Sequence, residues 1–429
     1  MLEKSLYTLL FTEAGHFYLY NSRANFFSEI SKELYHILLE ERFDSLPADV
    51  INTLKDKEII LPSGNQFDYY FSTLLKFNHN NFQKKYLNLV IAPTTSCNFS
   101  CPYCFEEKKQ CSTMTDDVID TLINFVSSHD EAKGIFITWY GGEPLIAFNC
   151  MRKIFNRLSK KRMPEIIGQS IITNGYCFTP RVIKFFEKKG CESIQITIDG
   201  IGEKHDKTRC LKNSNKPTFG VIINNIKNIL ATLVNTRLSI RVNINKENYM
   251  DFVEVFNYFN KEYPDCPNLH IYPGLIREES SDRRSLCSTS FTTSEILELN
   301  KLLRDAGVSV TDFPRKRERG CMMHNQSSYL IGPKGEIYKC WNDIGNPNAV
   351  IGNISDKALL NASRLIKYSM QAIPFNDECK HCLAFPICDG GCGYHRYKNM
   401  FEGCNFDLCS PYKNVEKLKN ALLSGELPK

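Results

Sequence analysis

Three cysteines within eight residues, Cys97, Cys101 and Cys104 in the run T-T-S-C-N-F-S-C-P-Y-C-F-E, constrain this chain more than any other feature. The spacing C-x3-C-x2-C puts three thiolates on one tight loop, able to face a single small object. Three ligands on a four-iron cluster leave one iron open to bind something that reacts, whereas four-cysteine sets serve electron transfer. A structural zinc site is the other reading. Zinc asks for four closing ligands, commonly from C-x2-C units, and no His lies near the loop to act as the fourth. The apolar run Tyr86-Leu87-Asn88-Leu89-Val90-Ile91-Ala92-Pro93 ahead of the loop reads as a buried strand.

A chain of 429 residues is too long for one ordinary core, so two or three domains are expected. Its 18 cysteines would imply disulfides in a secreted protein. The N-terminus, Met1-Leu2-Glu3-Lys4-Ser5-Leu6-Tyr7, carries an acid and a Tyr where a secretory apolar region should stand. Nor is there an uncharged apolar stretch long enough to span a membrane. Reduced thiols in a cytoplasmic protein, used for metal, are the expectation. A net charge of +5, from 53 basic and 48 acidic residues, does not argue for nucleic acid. The densest basic run, Arg315-Lys316-Arg317-Glu318-Arg319, reads as a solvated loop.

Residues 1–62 read as a hairpin, Leu6 to Phe11 and His16 to Tyr20, then a helix from Lys32 to Glu40 with Ser31 as N-cap. Pro47 opens a second helix toward Leu54, and Glu58 to Leu61 forms a third strand. Residues 63–85 form a polar, aromatic connector. From 86 to 308 strands alternate with helices, the pattern of a parallel sheet with crossover helices. The expected strands are 86–92, 135–140, 168–173, 192–198, 237–244 and 268–272. Helices are expected near 115–128, 147–161, 180–189, 220–233, 249–262 and 292–306. In such α/β folds ligands sit beyond the C-terminal ends of the strands. Residues 309–429 shift toward Cys, Gly and Pro, with few regular elements before a helix near 412–423.

The cysteine loop, with the aromatic Tyr103 before its third cysteine, resembles the C-x3-C-x-aromatic-C signature of the radical S-adenosylmethionine (SAM) enzymes. The resemblance covers about residues 86–412 and implies a partial (β/α)6 barrel. Trp139-Tyr140-Gly141-Gly142-Glu143-Pro144 matches the family's G-G-E motif, whose backbone holds the methionine amino group of SAM. By the same resemblance, Asn174 in Thr173-Asn174-Gly175 serves the ribose or methionine region. Asp199, in Ile198-Asp199-Gly200, either joins the site or only shapes its turn. Arg209 matches a basic position near the SAM carboxylate, a surface arginine being the alternative, and Asn243 on the fifth strand reaches the adenosine. The chemistry implied is reductive cleavage of SAM to a 5′-deoxyadenosyl radical that takes hydrogen from the substrate.

Residues 321–409 resemble the SPASM extension of that family. Cys321, Gly335 and Cys340 are followed by Cys379-x2-Cys382-x5-Cys388-x3-Cys392, then Cys404 and Cys409. Zinc ribbons also use C-x2-C pairs. The family's wiring gives Cys321, Cys340 and Cys392 to a first auxiliary [4Fe–4S] cluster. Cys379, Cys382 and Cys388 go to a second, closed by Cys409 in preference to Cys404. The total is three clusters. Some relatives carry a further cysteine where Ser327 stands here, so the first auxiliary cluster is expected to keep an open iron. Cys111, Cys150, Cys177, Cys191, Cys210, Cys266 and Cys287 fall outside every motif and read as small buried apolar residues.

The N-terminal winged-helix-like module resembles the recognition domain of maturases of ribosomally made peptides. The function implied is a radical SAM peptide maturase installing a thioether or carbon–carbon cross-link. Its partners would be a precursor peptide with a leader and a reductant such as flavodoxin or ferredoxin. The enzymatic alternative is an anaerobic sulfatase maturase, which makes formylglycine. That family places a catalytic Asp directly after the cysteine matching Cys340, where this chain has Trp341, and Asp343 stands two residues further on. A non-catalytic iron–sulfur electron-transfer or binding protein is the alternative of another class.

Overall fold

The computed structural model describes residues 1–104, 110–214, 216–276, 290–317, 320–356, 362–370 and 377–424. Cys287 and the end of the basic run, Glu318 and Arg319, lie outside them. The chain divides into two compact units. One comprises Met1–Asn81, Thr292–His324 and Ser369–Lys429, the other Phe82–Phe291 and Asn325–Tyr368.

In the first unit, β1 (Leu2–Lys4) is followed by β2 (Thr8–Glu13), β3 (His16–Asn21), β4 (Phe26–Ile30) and β5 (Ile60–Pro62). β2, β3 and β4 form an antiparallel meander, and β1 pairs antiparallel with β5. The helices Lys32–Leu39 and Ala48–Asp56 fall where Ser31 and Pro47 announce them. Ser31 Oγ accepts from the Leu34 amide at 3.1 Å, supplying a partner to one of the helix's orphan donors. β1 and β4 were not legible, the first being three residues long and the second lacking alternation.

Alternation along β3 sends neighbouring side chains to opposite faces. Leu19 packs with Leu38, Phe43, Leu54, Ile59 and Ile60 under the two helices. Tyr20 joins Phe11, Phe313, Ala384, Ile387, Leu418 and Leu422 in a second core. The N-terminal meander therefore buries one face on Ala384 and Ile387 within the C-x2-C-x5-C run and on Phe313, Leu418 and Leu422 outside it. Tyr7, Tyr70 and Phe385 extend that packing toward Cys379 and Cys382, and Ser22 Oγ donates to the Leu383 carbonyl at 2.5 Å.

The second unit is built on a nine-stranded sheet. Its strands are β6 (Tyr86–Thr94), β7 (Gly134–Gly141), β8 (Glu165–Thr173), β9 (Ser193–Thr197), β10 (Arg237–Ile244), β11 (Leu269–Leu275), β12 (Ser328–Ile331), β13 (Glu336–Tyr338) and β14 (Gly352–Asn353). Their order is β11-β10-β9-β8-β7-β6-β12-β13-β14. β6 to β11 are parallel, as the alternation with helices implies, and all six lie within a few residues of the expected positions. The crossover helices are Asp116–Ser127, Phe148–Leu158, Pro180–Lys189, Phe219–Thr232 and Tyr249–Glu262.

One face of this sheet is fully buried: Leu89, Ile91, Ile137, Trp139, Ile194, Ile196, Leu238 and Ile240 are sealed from solvent. Such burial stabilises by about 1.5–3 kcal/mol per side chain. The opposite face is graded. On β10, Arg237 is exposed, Ser239 and Arg241 are half-buried and Asn243 is buried, so this face closes toward the C-terminal strand ends. The three short strands β12–β14 depart from the expectation of an irregular C-terminal part. β12 pairs parallel with β6, Ser328 facing Asn88, a partner some 240 residues away that no local pattern discloses.

Truncating Phe11 to Ala removes an almost sealed aromatic from the core shared with Phe313, Ile387 and Leu418. The expected loss is about 3 kcal/mol of stability. Denaturant titration of the variant should show it, with local opening of residues 379–388 by hydrogen exchange.

Candidate cluster and cofactor site

The loop bearing Cys97, Cys101 and Cys104 leaves the C-terminal end of β6 and is closed at its base by hydroxyls. Thr94 Oγ1 donates to the Ser112 carbonyl at 2.8 Å, and Thr95 Oγ1 donates to the Gln110 carbonyl at 2.8 Å. Within the loop the Phe99 amide points at Cys97 Sγ (3.4 Å), and the Cys104 amide donates to the Cys101 carbonyl at 3.1 Å. Cys101 is buried, and Cys97 and Cys104 are half-buried. Burial pushes the Cys97 thiol up to about 12 and raises Cys101 as well; the Arg209 charge pulls Cys101 back. Among the described residues no three Cys, His, Asp or Glu side chains converge on one point as ligands of a single ion would. A four-iron cluster takes one thiolate per iron and needs no common point.

Gly141 and Gly142 end β7 directly beneath this loop. A Cβ on Gly142 would lie 2.6 Å from the Thr95 carbonyl oxygen, and Gly141 has φ of +110°. Only glycine lets the two backbones approach so closely. The Glu143 amide then donates to the Ser96 carbonyl at 2.9 Å. Glu143 itself is sealed from solvent. Its carboxylate accepts from Thr173 Oγ1 (2.8 Å), the Asn174 amide (2.7 Å) and the Leu145 amide (3.0 Å). Burial raises this carboxyl, and the three donors oppose the rise. The side chain thus ties β7 to the end of β8, leaving backbone to face a ligand. Asn174 Nδ2 reaches the loop, donating to Asn98 Oδ1 at 2.8 Å.

Tyr103, Asp199, Arg209 and Asn243 form one polar cluster. The Tyr103 hydroxyl donates to Asp199 Oδ2. It accepts from Arg209 Nη1 at 2.6 Å and from Asn243 Nδ2 at 3.2 Å. Asp199 Oδ1 accepts from the Asn243 amide at 2.7 Å, and Arg209 Nη1 stands 3.4 Å from Asp199 Oδ2. Arg209 is therefore not a surface residue: it is 8% exposed, its guanidinium 5.7 Å from the centroid of the Phe99 ring. Asp199 does more than shape a turn. Its buried charge is balanced by Arg209, whose Nε has no protein partner. An unpartnered buried N–H beside a cysteine loop fits a site built for a ligand with an acceptor oxygen, as SAM is.

Sequence reasoning missed several neighbours. Asn98 carries no pattern beyond its place between two cysteines. His205 accepts from the Asp199 amide at Nδ1 (3.3 Å), and burial pushes its imidazole down to about 4, so it is neutral at pH 7. Arg241 donates from Nε to Asn243 Oδ1 at 2.9 Å. The cysteines outside the motifs are not buried as expected. Cys111 is exposed, while Cys150, Cys177, Cys191, Cys210 and Cys266 are half-buried. Cys210 packs its sulfur 3.6 Å from the Ser100 carbonyl, because Phe99 pairs with Leu211 and the Ser100 amide donates to the Cys210 carbonyl, joining the cysteine loop to the chain after Arg209.

In the first unit the Arg396 guanidinium feels the charges of Cys379, Cys388, Cys409 and Cys392, and burial lowers it. Cys382 in turn feels Cys388 and Cys379. Cys404 is not among these neighbours; its amide donates to the Lys398 carbonyl at 3.2 Å. Cys321 belongs to this unit and Cys340 to the other. Ser327, at the position where some relatives carry a further cysteine, is buried with its hydroxyl donating to the Gln83 carbonyl at 2.8 Å.

Residues 91–259 match the radical SAM superfamily. These residues form a radical SAM domain. The radical SAM fold is matched by the solved structure of native anSMEcpe with bound AdoMet and Cp18Cys peptide, at a TM-score of 0.59 and 17% identity over 79% of this chain and 97% of that one. A cysteine-type anaerobic sulfatase-maturating enzyme of Clostridium novyi is 27% identical over 78% of this chain and 96% of its own length. The radical SAM cyclopropyl synthase TigE of Paramaledivibacter caminithermalis is 22% identical over 80% of this chain and 76% of its own. The chain is thus an enzyme, which removes the reading as a non-catalytic iron–sulfur protein. A radical SAM domain implies a [4Fe–4S] cluster and SAM, and the cysteine-rich C-terminus fits a SPASM domain. No described helix is long and apolar enough to cross a membrane.

Two outcomes are expected. Replacing Cys97, Cys101 and Cys104 together by Ala should lower bound iron by about four atoms per chain and abolish SAM cleavage; iron analysis and 5′-deoxyadenosine assay check this. Asp199→Asn leaves the buried Arg209 charge uncompensated and should cost about 3 kcal/mol in denaturant unfolding.

Proposed function

We propose that this radical SAM enzyme is a maturase of a ribosomally made precursor peptide, closing a thioether or carbon–carbon cross-link between side chains. One observation carries the reading. Directly after Cys340 stands Trp341, half-buried, its indole edge-on to the Tyr140 ring at 4.6 Å. Tyr140 immediately precedes Gly141-Gly142-Glu143, so an aromatic wall, not an acid, adjoins the cofactor motif. The nearby Asp343 is 1% exposed and its carboxylate accepts from the Tyr368 hydroxyl at 2.8 Å, with Arg364 3.8 Å away. A carboxylate so enclosed and so bonded is closed to a substrate, which weighs against Asp343 as the base of formylglycine formation.

When bound, the cluster and SAM supply the reducing electron and the carbon radical that removes a hydrogen atom. This chain's residues do the rest. The three candidate cysteines hold the cluster, and Gly141, Gly142 and Asn174 line the methionine and ribose region. The Tyr103, Asp199, Arg209 and Asn243 cluster fixes the wall on which SAM rests. Cross-linking removes two hydrogens from the peptide: one atom goes to 5′-deoxyadenosine, and one electron and one proton leave as the new bond closes. An auxiliary cluster on Cys321, Cys340 and Cys392 is the proposed electron acceptor. With Ser327 bonded to the Gln83 carbonyl in place of a further cysteine, these three cysteines would leave such a cluster able to take a substrate thiolate. A second cluster on Cys379, Cys382, Cys388 and Cys409 is supported by Arg396, which feels Cys379, Cys388 and Cys409 together with Cys392, and by Cys382, which feels Cys388 and Cys379. The N-terminal meander, whose edge strands β2 and β4 offer main-chain groups for strand addition, is the proposed leader-binding element.

Formylglycine formation is the second reading, favoured by similarity to the sulfatase-maturating enzyme over most of both chains. The two separate on product. Replacing Cys340 by Ala should stop cross-linking while 5′-deoxyadenosine still forms, with circular dichroism unchanged. An aldehyde trapped on a Cys-containing peptide by a hydroxylamine probe would instead establish the second reading. A folded variant that cross-links at the normal rate would sink the cluster's role.

A further inference from the structure

Two guanidinium groups adjoin the polar cluster, and they differ in what is left for a ligand. Arg209 is balanced by Asp199 and bonded to Tyr103 through Nη1. Arg241 makes no ion pair among the described residues and is bonded only through Nε, to Asn243 Oδ1 at 2.9 Å. It lies on the graded face of the sheet, with Thr197 opposite on β9 and Tyr272 opposite on β11. Its neighbours there are neutral. Tyr272 donates its hydroxyl to Gln195 Oε1 at 2.6 Å, so it is occupied elsewhere.

The position is built for this side chain. Asn243 faces Gly274, and a Cβ on Gly274 would lie 2.9 Å from both Cγ and Cζ of Arg241. Gly274 therefore lets the arginine lie along the strands, Nε toward the cofactor end, both Nη groups without a carboxylate. A half-buried guanidinium has lost part of its hydration, and its planar fork suits a carboxylate held by two parallel hydrogen bonds. The proposed reaction offers two sources of a carboxylate, SAM and the peptide. Arg209 is the arginine whose charge acts on Cys101 of the candidate cluster loop, which fits it to the carboxylate of SAM. Arg241 lies beyond Asn243 and acts on none of the loop cysteines.

We propose that Arg241 binds a carboxylate of the substrate, an acidic side chain or peptide terminus next to the reacting residue, and so selects acidic peptides. The proposal rests on the peptide-modifying reading but is testable without turnover. The reconstituted full-length enzyme is treated with phenylglyoxal, and labelling of Arg241 is followed by peptide mass spectrometry, the buried Arg209 serving as internal control. N-acetyl-Ala-Glu-Ala-amide should slow labelling of Arg241 severalfold, while its Gln counterpart and saturating SAM should not. Binding of the Glu tripeptide, measured by ligand-observed NMR, should weaken about tenfold in Arg241→Gln and recover in Arg241→Lys, which keeps the charge. Protection by SAM instead would assign Arg241 to the cofactor and overturn the proposal. Equal behaviour of the Glu and Gln tripeptides would also overturn it. Failure of the peptide-maturase reading would look different: no peptide would lose two hydrogens, while the Glu-specific protection persisted.

Discussion

A carboxylate without access to water, that of Glu143, sets the geometry of the cofactor end of the parallel sheet. A buried ionised carboxylate costs several kcal/mol unless donors replace its hydration. Thr173, Asn174 and Leu145 do so, which fixes the ends of β7 and β8 at one separation. The Glu143 main chain meanwhile donates to Ser96, at the root of the cysteine loop. Any shift of these elements would strand a charge in an apolar interior. The loop is held in place because that alternative is so unfavourable.

The second constraint is a matching of charges. Asp199 and Arg209 neutralise each other beneath Tyr103, and the neutral His205 accepts the Asp199 amide without adding charge. Arg241 is left as the cation with no acid assigned to it among the described residues. Two arginines beside the same polar cluster thus have different chemistry. Arg209 supports the site, and Arg241 is available to what enters it.

In the first unit, the N-terminal meander and the cysteine-rich segment share a hydrophobic core through Phe11, Tyr20, Ile387 and Leu418. Recognition and cluster binding, if each lives where proposed, are mechanically linked by packing. Removing the meander would expose apolar surface on the cysteine-rich segment, so its role in recognition is better probed on the β2 and β4 edges than by truncation.

The six parallel strands and their helices were legible because period-two and period-3.6 patterns of apolar residues are local and are repeated in every β/α unit. The cysteine spacings and G-G-E were legible because loop chemistry is written in consecutive residues. Sequence also named Tyr103, Asp199, Arg209 and Asn243 individually, through resemblance. Only the tertiary structure decided that they touch, that Arg209 is buried and paired, that Asp343 is enclosed by Tyr368 and Arg364, and that Trp341 abuts Tyr140. Each is a contact between residues far apart in the chain, and burial or pairing is a property of what surrounds a side chain. β12 joined β6 for the same reason: a four-residue strand carries too little pattern to announce itself, and its partner is fixed by the closure of the whole sheet.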